Sequence, residues 1–167
     1  MDKQIIELAQ LLGQSLAEKK MKIATAESCT GGAIAQAITE IPGSSGWFDR
    51  GFVTYSNLSK LQMLQVGQSA LDQYGAVSDE VAKQMVLGAL INSDADLAVS
   101  VTGIAGPGGG SETKPVGTVH IGWGLKGHAV RSKKYYFPGN RVEVRKQTVV
   151  SALKACLAEL NVGWGEV

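Results

Sequence analysis

Four stretches of this 167-residue chain hold residues whose types and spacing could do chemistry. The first is Ala26-Glu27-Ser28-Cys29-Thr30-Gly31-Gly32, where an apolar segment hands over to a helical pattern. A serine there projects from the carboxyl end of a strand, beside the free N–H groups of the following helix, which could stabilise an oxyanion. Gly31 and Gly32 would let a substrate approach the backbone closely. The same serine also reads as a helix N-cap, a role that Ser and Thr fill for hydrogen bonding alone. Cys29 is a rival nucleophile, but a cysteine enzyme needs a cationic partner to hold its thiolate. The two histidines, His120 and His128, fall inside a strand pattern and at a turn. Cys29 is therefore read as a small buried thiol.

The second stretch is Tyr55-Ser56-Asn57-Leu58-Ser59-Lys60, starting at a strand end. A lysine can act as base to a serine when burial lowers its pKa. Taken alone, Lys60 reads as a solvated surface lysine. The residue three after Ser28 is Gly31, so no Ser-x-x-Lys motif is present. Any Ser–Lys pair must be assembled across the fold.

The third stretch, Thr102 to Ser111, has five glycines between Gly103 and Gly110. It lacks the Gly-Lys-Ser/Thr ending of a P-loop and the spacing of a dinucleotide fingerprint, and a strand pattern follows it. It is either a flexible connection or a wall of exposed amides around a ligand. The fourth stretch opens the last helix, where Arg141 and Arg145 share a face. Positive charge is disfavoured in a first helical turn. A bound phosphate would resolve the mismatch; solvated arginines offset by Glu143 would not need one.

The elements that must position these residues follow from periodicity. Ile5, Leu8, Leu12 and Leu16 predict a helix over 3–19. Strands are expected at 22–27, 50–56 and 96–102, and helices at 30–39, 57–65, 68–74 and after Ser78. Residues 116–125 and 128–137 predict a hairpin across Lys126-Gly127. Asn140 and Glu143 form a capping box for the last helix, whose buried face is Val149, Leu153, Cys156, Leu157 and Leu160. Early strands joined by helices imply parallel pairing and the late hairpin an antiparallel edge. The expected fold is a three-layer α/β/α sandwich with a mixed, mostly parallel sheet, a single domain over 1–167.

Bulk properties narrow the function. A net charge of +1 argues against a general attraction to nucleic acid or acidic membranes. Two cysteines far apart form no metal or redox motif. There is no run of about 20 apolar residues and no signal-peptide core, so a cytoplasmic location is expected.

Taken together, the chain resembles the C-terminal domain of the competence-damage-inducible protein A (CinA) family. The resemblance rests on Thr25-Ala26-Glu27-Ser28-Cys29-Thr30-Gly31-Gly32, Gly43-Ser44-Ser45, Gly51-Phe52-Val53-Thr54-Tyr55-Ser56-Asn57 and Gly75-Ala76-Val77-Ser78. Gly103 to Gly109, Lys114-Pro115-Val116-Gly117-Thr118-Val119 and Phe137-Pro138-Gly139 complete it. It implies hydrolysis of the carboxamide of nicotinamide mononucleotide, with no cofactor and no metal. On the family pattern Ser28 is the nucleophile, Lys60 its base and Tyr55 an active-site partner. Thr30, Gly31, Thr102, Gly103, Ala105 and Gly106 would contact substrate, and Arg141 or Arg145 would hold the phosphate. The length resembles the stand-alone form of the family, and analogy suggests a homodimer. Two other functions fit the same residues: a pyridine-nucleotide-binding module without turnover, and an amidase of another small amide.

Overall fold

The computed structural model describes residues 1–163; the end of the expected 1–167 domain, residues 164–167, lies outside the described residues. Helix α1 spans Lys3–Lys19, with the Asp2 carboxylate accepting from the Gln4 and Ile5 amides. Strand β1 (Ile23–Glu27) and helix α2 (Ala33–Thr39) follow. Next come β2 (Phe48–Val53), then helices α3 (Asn57–Leu64), α4 (Gln68–Tyr74) and α5 (Asp79–Ile91). Strands β3 (Leu97–Gly103), β4 (Thr118–Leu125) and β5 (Arg131–Tyr136) precede the closing helix α6 (Arg141–Glu159).

The sheet order is β2-β1-β3-β4-β5. β1 pairs in parallel with both β2 and β3, while β4 runs antiparallel to β3 and to β5. Four strands thus share a direction and β4 alone opposes them. Strand alternation sorts side chains into two cores. Ile23, Val99, Val101, Val119 and Ile121 face α1, α2 and α6 and pack with Leu8, Leu12, Ile34 and Leu153. Ala24, Ala26 and Ala98 face the other way, against Leu64 of α3, Leu71 of α4, and Val81, Met85 and Val86 of α5. That second face is built of small residues, which lets α5 lie close. The Ser100 hydroxyl donates to the Ala82 carbonyl at 2.6 Å, and a Cβ on Gly122 would sit 2.8 Å from the same oxygen. α3 is seated as tightly, since a Cβ on Gly88 would fall 2.0 Å from the Leu64 carbonyl oxygen.

The topology matters for function because β1 lies between β2 and β3, with the connection leaving β1 running to β2 on one side and the connection leaving β3 running to β4 on the other. The carboxyl ends of β1, β2 and β3 therefore lie side by side at a reversal of strand order, where open α/β sheets form a crevice. Ser28 follows β1, Thr54 and Tyr55 follow β2, and Thr102 to Gly106 close β3. No helix among the described residues is long and apolar enough to cross a membrane.

Candidate active site

The turn carrying Ser28 differs from the sequence expectation in an informative way. The helix begins at Ala33, not Thr30, because Gly31 and Gly32 take positive φ of 61° and 104°. Gly32 is the N-cap, so Ser28 caps nothing. Its amide donates to the Val101 carbonyl at 3.0 Å, and its Oγ lies 2.9 Å from Lys60 Nζ. The expected oxyanion donors at the start of α2 are already taken. Glu27, only 1% exposed, accepts from the Ile34 amide at 2.8 Å, the Ala35 amide at 3.0 Å and the Thr30 hydroxyl at 2.5 Å. A fixed carboxylate at that position repels a developing oxyanion.

Lys60 is brought to Ser28 by α3, whose start is fixed by a capping box between Ser56 and Ser59. About one turn later Lys60 points inward and is 1% exposed. Desolvation pushes its pKa down from the ordinary 10.5 to about 8, because burial penalises the ammonium. Its Nζ also bonds the Thr54 carbonyl at 2.8 Å. That carbonyl can only accept, so it takes an N–H, and the lone pair of the neutral amine is left for the Ser28 hydroxyl. The surface-lysine reading of Lys60 is thereby replaced by a buried Ser–Lys pair, 32 residues apart in the chain.

Cys29 is buried, and desolvation followed by the nearby Glu27 charge pushes its thiol up to about 12. Such a thiol is not a nucleophile near neutral pH. His120 gives it no help: it lies on β4, beyond β3, with Nδ1 2.9 Å from Asp79 Oδ1.

The two arginines separate cleanly. Arg141, exposed at the start of α6, reaches over the crevice to the Tyr55 hydroxyl at 2.9 Å and the Gly106 carbonyl at 2.8 Å. Tyr55 is therefore a rim residue, 60% exposed and joined to Arg141. Arg145, one turn on, turns inward and donates to the Thr30 carbonyl at 3.0 Å. It braces the Ser28 turn from the side while Glu27 holds it from below. Thr30 is fully buried with hydroxyl and carbonyl both engaged, so it serves the turn rather than a ligand. Gly31 is exposed, which leaves its backbone open to the crevice.

The glycine-rich stretch divides into two parts. Residues 102–106 are anchored: Thr102 is 1% exposed and donates to the Ala76 carbonyl at 2.9 Å, and Ala105 packs in the larger core. Gly103 lets β4 approach, since a Cβ there would lie 2.8 Å from the Thr118 carbonyl oxygen. Gly106 adopts a φ of 84° and turns its carbonyl to Arg141. Residues 107–113 are all exposed. Sequence reasoning missed Glu27 and Thr54. Glu27 had one signal, an acidic residue closing an apolar strand, which is buried only when fully partnered.

Comparison with known proteins places this geometry. The CinA C-terminal domain model matches residues 5–160. The nicotinamide-nucleotide amidohydrolase PncC of Enterobacter agglomerans is 52% identical over 158 residues, covering 95% of this chain and 96% of that protein. A putative competence-damage inducible protein of Caldicellulosiruptor bescii is 49% identical over 152 residues, which are 91% of this chain but 36% of that longer protein. Among solved structures, competence/damage inducible protein CihA from Agrobacterium tumefaciens superposes with a TM-score of 0.93 at 48% identity. That match covers 96% of this chain and 98% of that one.

Proposed function

Since the chain belongs to the CinA C-terminal domain family, we propose that it is a nicotinamide-nucleotide amidohydrolase that works through a Ser28–Lys60 dyad. The observation that carries the reading is the 2.9 Å approach of a buried lysine amine to a serine hydroxyl at the carboxyl end of β1. A binding module has no use for a desolvated base beside a hydroxyl, and burying one is costly. The names of the relatives at about half identity over nearly the whole chain support the substrate.

The steps follow from the residues. Ser28 Oγ attacks the carboxamide carbon of nicotinamide mononucleotide while Lys60 Nζ takes the hydroxyl proton. The C–N bond then breaks, and Lys60 returns that proton to the leaving nitrogen, releasing ammonia. Water, deprotonated by the same amine, cleaves the acyl-enzyme to give the carboxylic acid and free Ser28. The exposed guanidinium of Arg141, at the rim of the crevice, is the phosphate partner. Arg145 is half-buried, gives one N–H to the Thr30 carbonyl and braces the turn.

The test is ammonia release from nicotinamide mononucleotide by the purified protein and by Ser28→Ala. Release by the wild type with none by the variant is expected. A variant with full activity refutes the nucleophile, and a wild type that binds the nucleotide without turnover refutes the enzyme.

A further inference from the structure

Among the described residues Lys60 Nζ bonds to Ser28 Oγ and to the Thr54 carbonyl. A neutral amine offers one lone pair and two N–H groups, and an ammonium offers three N–H groups. With the lone pair on Ser28 and one N–H on the Thr54 carbonyl, a further N–H must find an acceptor. The need sharpens when Lys60 holds the Ser28 proton, because the unsatisfied donor then carries charge in a buried site. The Thr54 side chain supplies the missing group. It is fully buried, and its hydroxyl has no hydrogen-bond partner. An idle buried hydroxyl is uncommon enough in a folded protein to need a reason.

Thr54 is held at both of its peptide groups. Its amide donates to the Glu27 carbonyl at 2.8 Å and its carbonyl accepts from Lys60. The unpaired hydroxyl thus belongs to the same residue as the carbonyl that already contacts Nζ. Phe52, two residues earlier, packs on the α3–α5 side of the sheet, the side from which Lys60 enters. We propose that the Thr54 hydroxyl is the third partner of Lys60, engaged while the lysine carries the Ser28 proton, and that Thr54 is thus a positioning residue for the base. The inference rests on the amidohydrolase reading above. Thr54 keeps its own proton throughout; only the proton shared by Ser28 and Lys60 moves. The titratable neighbour coupled to Lys60 is Cys29, whose thiol, pushed up to about 12, is neutral over the working range and so leaves the Lys60 proton unaffected there.

Thr54→Val and Thr54→Ser test this against a purely structural role. Valine is nearly the same shape, and removing an idle buried hydroxyl is neutral or stabilising. Above about pH 9, where Lys60 is neutral and the Thr54 hydroxyl idle, T54V is therefore expected to melt at or above the wild-type temperature. Its kcat should fall about tenfold or more with KM unchanged. The limb on which activity rises with pH should move about one pH unit lower, because the ammonium has lost a stabilising partner. T54S should restore both. T54V with wild-type kcat and pH profile overturns the inference, as does a kcat loss with an unmoved limb that serine fails to rescue. If T54V does not unfold cooperatively, Thr54→Ala carries the same comparison. A wild type that releases no ammonia sinks the underlying reading instead, so the two failures are distinguishable.

Discussion

Replacing Lys60 by methionine separates what the base costs the fold from what it does. The unfolded chain titrates this lysine near 10.5 and the folded chain near 8, because burial disfavours the ammonium. That gap is worth about 3 kcal/mol. Below pH 8 the lysine is protonated in both states, and folding bears the whole desolvation cost. Between 8 and 10.5 the folded protein releases a proton that the unfolded chain keeps, so stability rises with pH by that amount. Methionine fits a similar volume with no charge and no such dependence. It leaves the Thr54 carbonyl without its lysine partner, at about 1–3 kcal/mol. K60M is therefore expected to match or exceed the wild type in stability at pH 7 and to fall below it at pH 10.5. Urea unfolding of both proteins at the two pH values measures this, since titrations common to both cancel in the difference. Over the interval the difference should change by about 3 kcal/mol, roughly 6–12 °C in melting temperature for a chain of this size. Ammonia release should be lost at every pH. A stability difference that stays constant with pH would show that the folded lysine titrates normally, and the assignment of Lys60 as a desolvated base would fall.

The two arginines should fail differently. Arg141→Ala is expected to raise KM for nicotinamide mononucleotide by about tenfold to a hundredfold with little change in kcat, and to leave hydrolysis of a substrate without phosphate unaffected. Arg145→Ala should instead lower the melting temperature, by about 1 kcal/mol of stability, and reduce kcat through the loosened Ser28 turn; equal KM effects from both would refute the division. Gly88→Ala places a Cβ 2.0 Å from the Leu64 carbonyl oxygen, so α3 must shift. A stability loss above about 2 kcal/mol is expected, with reduced turnover because α3 carries Lys60; calorimetry and ammonia assay together check it. Finally, kcat should rise with pH through about 8 as Lys60 loses its proton, and a profile flat from 6 to 10 would exclude it as the base.

Much of the fold was legible because its signals are local. The spacing of Ile5, Leu8, Leu12 and Leu16 set α1, and the Asn140–Glu143 box sits where the sequence put it. The α2 boundary was misjudged by three residues because two consecutive glycines were read as tolerated inside a helix when they form the turn before it. Family motifs pointed to Ser28 and Lys60, but nothing in their local spacing could, since the contact is made by β2 reversing into α3. The Glu27 carboxylate is held largely by backbone amides and Thr54 meets Lys60 through its backbone carbonyl, and backbone partners leave no trace in residue type. Arg141 and Arg145 could not be told apart on one helical face. A rise of about 6 Å between them sends one to the rim and the other to the underside of the turn.

The exposed stretch 107–113 divides the chain by task. Every group proposed to make or break a bond precedes it, in the turn after β1 and in α3, whereas the arginine proposed to hold the phosphate and the last two strands follow it. The halves meet along the antiparallel seam of β3 and β4, where backbone pairing from Leu97–Leu125 to Gly103–Val119 carries the register. A chain cut in that stretch would yield one fragment holding the dyad and another holding the substrate's anchor, neither a working enzyme alone. Reassembly along the seam would then be read out directly as ammonia, which makes the break a natural place for a split reporter.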